Sequence, residues 1–125
     1  VRTYLIRDGR IEQLTRDHSW VAEQVQNGLI DQVDAKHHPL RSVVTRAVSG
    51  VEDKLQVDVR EMPLVSGDRL LLCSDGLHGL TTDEELLDYV NRYASAPQAA
   101  CDALVALANE RGAPDNVTVI IVHVI

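Results

Sequence analysis

Two apolar runs in this chain each abut an aspartate. Leu70-Leu71-Leu72-Cys73 leads through Ser74 into Asp75-Gly76, and Ala113-Pro114-Asp115-Asn116 opens onto the run Val117 to Ile125. A strand that is apolar at consecutive positions has no face to give to water, so it must lie inside a layered fold. Both runs are therefore expected to be buried on both faces, Val117 to Ile125 in the middle of a sheet with layers on either side, with Asp75 and Asp115 where the chain turns. Two hard oxygen donors at buried strand ends, beside glycine or proline, suit a divalent cation. The same residues also suit plain turn chemistry, Asp75-Gly76 as a turn and Asp115-Asn116 as an Asx-turn.

With 125 residues the chain is one domain or part of one, long enough for a real core. Its 45% apolar content excludes disorder, and with no Phe the core must be built from Leu, Val, Ile and Ala. Nineteen acids against twelve bases give a net charge of −7, which argues against a nucleic-acid partner and fits a protein that carries cations. Cys73 and Cys101 form neither a metal pattern nor a disulfide framework; they read as small core residues in a reducing compartment, so the expected location is cytoplasmic. No window approaches eighteen apolar residues and no signal peptide is legible, so no membrane partner is expected. The chain lacks an initiator Met and begins mid-pattern at Val1-Arg2-Thr3-Tyr4, which reads as a piece of something longer.

Thr3 to Arg7 and Ile11 to Thr15 flank Asp8-Gly9, a hairpin signal. Asp17-His18-Ser19 offers caps for a helix carrying Val21, Ala22 and Val25, with Gly28 as its stop. Leu29 to His38 is partly helical and ends at Pro39, and Ser42 to Val48 is a short strand or extended loop before the polar stretch Ser49 to Lys54. Gln56 to Leu64 alternates like a half-buried strand, and Arg69 to Cys73 follows a turn at Ser66-Gly67-Asp68. Thr82 and Glu85 form a capping box for a helix burying Leu86, Leu87 and Val90. A second helix starts with Pro97 in its first turn, carries Ala100, Ala103, Leu104, Leu107 and Ala108, and stops at Gly112. Six strands and four helices in mixed order indicate an α+β layered architecture.

Other candidate groups fare less well. Ser74 lacks the flanking glycines of a nucleophile elbow, since Leu72 occupies one of the two positions, and it reads as a supporting residue. Cys73 has Gly79, not arginine, six residues on, and its apolar neighbours would raise the thiol pKa. His37-His38 has no third soft ligand at zinc spacing. His18 reads as a structural hydrogen-bonder, and Arg41 and Arg46 are candidates to face a phosphoryl group.

Five blocks in order resemble the bacterial, type 2C family of metal-dependent serine/threonine protein phosphatases. They are Tyr4-Leu5-Ile6-Arg7-Asp8-Gly9, Leu14-Thr15-Arg16-Asp17-His18-Ser19, His38-Pro39-Leu40-Arg41-Ser42-Val43-Val44-Thr45-Arg46-Ala47, Gly67 to Leu77, and Asp115-Asn116-Val117-Thr118. The resemblance implies a layered antiparallel β-sandwich flanked by helices, with Asp75 and Asp115 as ligands of a Mn²⁺ or Mg²⁺ pair. Ser74, Gly76 and Asn116 would support those ligands. It implies hydrolysis of phosphoserine and phosphothreonine in proteins by metal-activated water, so no side chain is assigned as nucleophile. Residues 19–48, with Arg41 and Arg46, would form a flap beside the cleft, and a serine/threonine kinase system is the implied counterpart.

The family's amino-terminal Asp-Gly-x-Gly-Gly ligand motif and phosphate-gripping arginine are absent, and Ser49 interrupts its Arg-Ala-Leu-Gly block. Gly79 stands where some relatives carry an acid. Residues 1–125 are thus expected to be the carboxy-terminal part of one phosphatase-like catalytic domain, an incomplete half-domain that binds Mn²⁺ weakly and turns over little phosphoester alone. An apolar sheet surface left bare would make it a homo-oligomer. The alternative is a degenerate, non-catalytic fragment serving as a protein-interaction or regulatory module.

Overall fold

Strand β1 (Arg2–Arg7) turns through Asp8 and Gly9 into β2 (Arg10–Gln13), as the Asp-Gly pair predicts. Both turn residues have positive φ, 51° and 71°, the combination a type I′ hairpin requires. The computed structural model describes residues 1–48, 50 and 56–125. In it β1 pairs with β3 (Arg69–Cys73), which pairs with β4 (Val119–His123). All pairings are antiparallel and the order is β2-β1-β3-β4.

Register decides which residues share a face. Tyr4 opposes Leu71 and Leu71 opposes Ile121, so Tyr4, Ile6, Leu71, Cys73, Val119 and Ile121 line one side. There they meet Leu77 of α3 (Asp75–His78), Leu86 and Val90 of α4 (Asp83–Arg92), and Leu104 and Ala108 of α5 (Pro97–Glu110). Burying each large apolar side chain of this set contributes roughly 1.5–3 kcal/mol, so the contact locks the helices onto the sheet. Helix α4 begins on the expected box: Thr82 Oγ1 accepts from the Glu85 amide at 3.2 Å.

These elements, Val1–Arg16 with Pro63–Ile125, form one compact unit. Asp17–Met62 forms the other. In the second unit Ser19 Oγ caps α1 (Trp20–Gln26) by accepting from Ala22 N at 3.2 Å, and α2 (Gln32–His37) ends before Pro39. The Trp20 amide donates to Val43 O and the Thr45 amide to His18 O, both at 2.9 Å, around a bridge between Ser19 and Val44. Ser42 to Val48 is therefore an extended loop with one bridged residue.

Three expectations are corrected. Gln56 to Leu64 is no strand: its valines have no face to bury against, and Val57 and Val59 are 67% and 83% exposed. Val117 to Ile125 does not lie mid-sheet; β4 is the edge, packed on α5 along one face, with Ile120 and Val122 exposed on the other. The described residues hold four strands and five helices, because Asp75 opens a short helix rather than a bare turn. Ser49 to Lys54, apart from Gly50, lies outside the described residues.

Arg7 and Asp68 join β1 to the turn before β3. Arg7 Nε donates to Asp68 Oδ1 at 2.7 Å and Nη2 to Oδ2 at 2.5 Å, while the Val65 amide donates to Oδ2 at 2.8 Å. The Arg7 hydrogen bond, with the Val65 amide behind it, holds this buried carboxyl down at about 2 from its ordinary 3.8. A depressed folded pKa gives stability that is present above the unfolded value and lost as pH falls through the folded one. Asp68→Asn is thus expected to melt well below the parent at about pH 5 and to converge on it toward about pH 2. A gap that stays constant over that range would refute the assignment.

Candidate metal centre

The β3–β4 ladder continues past Cys73 into the two aspartate segments. The Ser74 amide donates to Thr118 O at 3.0 Å, and the Thr118 amide returns a bond to Ser74 Oγ at 3.0 Å. Ser74 Oγ itself donates to Asn116 O at 3.2 Å. One side chain thus stitches the residue before Asp75 to the residues just after Asp115. Its hydroxyl is committed to that junction.

Gly76 completes the junction. It is buried, and a Cβ there would lie 2.9 Å from the Asn116 carbonyl carbon and 3.2 Å from Val117 Cγ2, with the carbonyl oxygen nearer still. Only a residue without a side chain allows the backbones to approach this closely.

Asp75 is the first residue of α3 and Asp115 lies in the turn ahead of β4, both exposed to solvent. Asp115 Oδ1 accepts from the Asn116 amide at 2.7 Å, which fixes its turn and leaves Oδ2 uncommitted among the described residues. The donors are hard carboxylate oxygens, the right chemistry for Mn²⁺ or Mg²⁺. Among the described residues no group of three or more His, Cys, Asp or Glu is placed to hold a metal ion. Asp75 and Asp115 are two carboxylates of that chemistry on neighbouring segments.

Arg111, not singled out by sequence, steadies this region. Its Nη1 donates to Leu80 O at 2.6 Å and its Nη2 meets Glu85 Oε2 at 2.5 Å. It ties the end of α5, just ahead of the Asp115 turn, to the loop after α3. An exposed arginine at a helix end carries no sequence signal of that role. Burial pushes the Cys73 thiol up to about 11, so it stays a protonated core residue.

In the Asp17–Met62 unit, His38 Nδ1 accepts from the Leu40 amide at 3.0 Å and its ring lies 5.2 Å from that of Trp20. Arg41 Nη1 donates to His38 O at 3.1 Å. Arg46 Nη1 donates to Asp58 Oδ1 at 2.9 Å, and His18 Nε2 meets Asp58 Oδ2 at 2.7 Å. The Arg46 hydrogen bond, joined by His18, holds the Asp58 carboxyl below its ordinary range. His18 is thus a hydrogen-bonder, as read from sequence, and both candidate arginines have partners inside their own unit.

The sequence model of the Stage II sporulation protein E (SpoIIE) family matches residues 33–125. The serine/threonine phosphatase stp of Listeria welshimeri is 40% identical over 122 residues, 98% of this chain and 48% of its own length. The chain belongs to the type 2C family of serine/threonine phosphatases. It spans about half the length of such phosphatase relatives. Among solved structures it superposes on PppA, a key regulatory component of T6SS in Pseudomonas aeruginosa. That match has a TM-score of 0.86 at 41% identity and covers 99% of this chain and 49% of PppA. The catalytic domain of the phosphatase PstP, solved in complex with 2 manganese ions, matches at 36% identity with a TM-score of 0.76. Here the cover is 96% of this chain and 48% of that one. The antiparallel sheet with helices thus matches the phosphatase fold over about half of its length.

Proposed function

We propose that this chain is the carboxy-terminal part of a domain that hydrolyses phosphoserine and phosphothreonine in proteins, using Mn²⁺ or Mg²⁺. The observation that carries the reading is the junction at Ser74 and Gly76, which holds the Asp75 and Asp115 segments against each other. Asp75 and Asp115 would hold the cation through carboxylate oxygens, while Ser74, Gly76 and the Asn116 backbone keep their segments in register. A bound divalent cation supplies a water of lowered pKa and a brace for phosphoryl oxygens. The PstP complex with manganese and the phosphatase relatives support the choice of ion and of reaction. Phosphoproteins set by a serine/threonine kinase are the proposed substrates, in the cytoplasm; no helix among the described residues is long and apolar enough to cross a membrane.

The test is Mn²⁺-dependent hydrolysis of p-nitrophenyl phosphate by this chain alone and by the chain joined to the amino-terminal half of a phosphatase relative. Turnover is expected to be slight alone and restored on joining. A joined protein that folds yet shows no metal-dependent turnover would defeat the reading in favour of a non-catalytic interaction module. The bare sheet face, with Ile120 52% and Val122 43% exposed, favours self-association of the isolated chain. Light scattering is expected to find a dimer alone and a monomer once joined.

A further inference from the structure

We propose that His18 and Arg46 form a binding site for a phosphate oxyanion, which the Asp58 carboxylate occupies in this structure. Two N–H donors converge on that one group, from His18 Nε2 at 2.7 Å and from Arg46 Nη1 at 2.9 Å. A carboxylate only accepts, so both nitrogens present protons to it. An imidazole N–H beside a guanidinium is a donor set that a phosphate takes better than a carboxylate, because phosphate offers three oxygens and more charge.

The two sides of this contact are held differently. His18 and Arg46 sit at the ends of the bridged segments, fixed by the Thr45 amide on His18 O and the Trp20 amide on Val43 O. Their side chains are only 25% and 29% exposed, against 54% for Asp58. Asp58 lies in residues 56–62, which belong to no helix or strand, between the exposed Val57 and Val59. Ion pairs this exposed contribute little to stability, so the carboxylate can leave at small cost while the donors remain in place. The carboxylate is an internal competitor, and an external phosphate binds only in the fraction of molecules from which it has withdrawn.

The ligand is either the phosphoryl group of a phosphothreonine peptide or free inorganic phosphate. None of the three residues is a proposed metal ligand, so binding needs no metal, and its failure is separable from failure of the hydrolysis reading. In chelator-treated full chain, calorimetry with inorganic phosphate is expected to show Asp58→Asn binding about tenfold tighter than the parent, the tax of the competitor having been removed. Arg46→Met in the Asp58→Asn background abolishes the binding. A phosphothreonine peptide that binds tighter than inorganic phosphate, where its unphosphorylated twin does not bind, supports the site and names a substrate as its source. Equal affinity for the two supports the site and names free phosphate. Asp58→Asn no tighter than the parent, or binding retained without Arg46, overturns the proposal. A second measurement leaves Asp58 intact: the parent's His18 ring signals shift at saturating phosphate and those of Arg46→Met stay still. Unshifted parent signals also overturn it.

Discussion

Gly76→Ala is expected to destabilise the fold by about 3 kcal/mol or more, the upper end for forcing an extra carbon into a packed site. The added Cβ meets the Asn116 carbonyl, which is backbone and cannot swing aside as a side-chain tip would. Relief requires the residues after Asp115 to move away from α3, and that motion also strains the two bonds at Ser74 Oγ. Ser74→Ala provides the contrast. It removes both hydroxyl bonds but adds no bulk, and at an exposed junction this costs only about 0.5–1.5 kcal/mol. Urea unfolding of the two variants is therefore expected to rank Gly76→Ala well below Ser74→Ala, with the parent highest. If Gly76→Ala unfolded with the parent's midpoint, the close approach of the two segments would be wrong, and the metal reading would lose its support.

Local chemistry was the legible part of this fold. Asp8-Gly9 specified its hairpin because both positions need positive φ, and Thr82 with Glu85 specified a helix start because each satisfies an amide of the other's turn. Ser19 marked a further helix start on the same grounds, and Pro97 another because its fixed φ and missing N–H suit the first turn. What misled was periodicity without a partner. Gln56 to Leu64 alternates as a half-buried strand does, yet alternation states only what a face would bury, not whether a face exists. Val117 to Ile125 is apolar on both sides, and its second face at Ile120 and Val122 has no covering layer among the described residues. The Arg7–Asp68 pair was illegible for another reason. Its partners are 61 residues apart and meet only once β1 pairs with β3. At the candidate centre, Asp75 and Asp115 were visible as chemistry. Their joining by Ser74 and by the missing side chain of Gly76 was a property of the register between β3 and β4.

Asp115→Asn, in the chain joined to an amino-terminal half, is expected to weaken Mn²⁺ binding and lower turnover by about a hundredfold. That is the top of the range for residues that merely orient a ligand. The substitution keeps the shape and leaves a carbonyl oxygen to accept the Asn116 amide, so the turn survives while the anionic donor is lost. Metal-free melting should therefore match the parent's, which separates loss of a ligand from loss of fold. Binding to the native state alone raises stability by mass action, so Mn²⁺ should lift the parent's melting temperature and leave that of Asp115→Asn nearly unmoved. Asp75→Asn should behave alike, and the double variant should lose far less than the sum of the two, because residues serving one cation are not independent. Fully additive losses would mean that the two carboxylates act on separate ions or on none. An Asp115→Asn protein with the parent's metal-induced rise in melting temperature would remove Asp115 from the centre altogether.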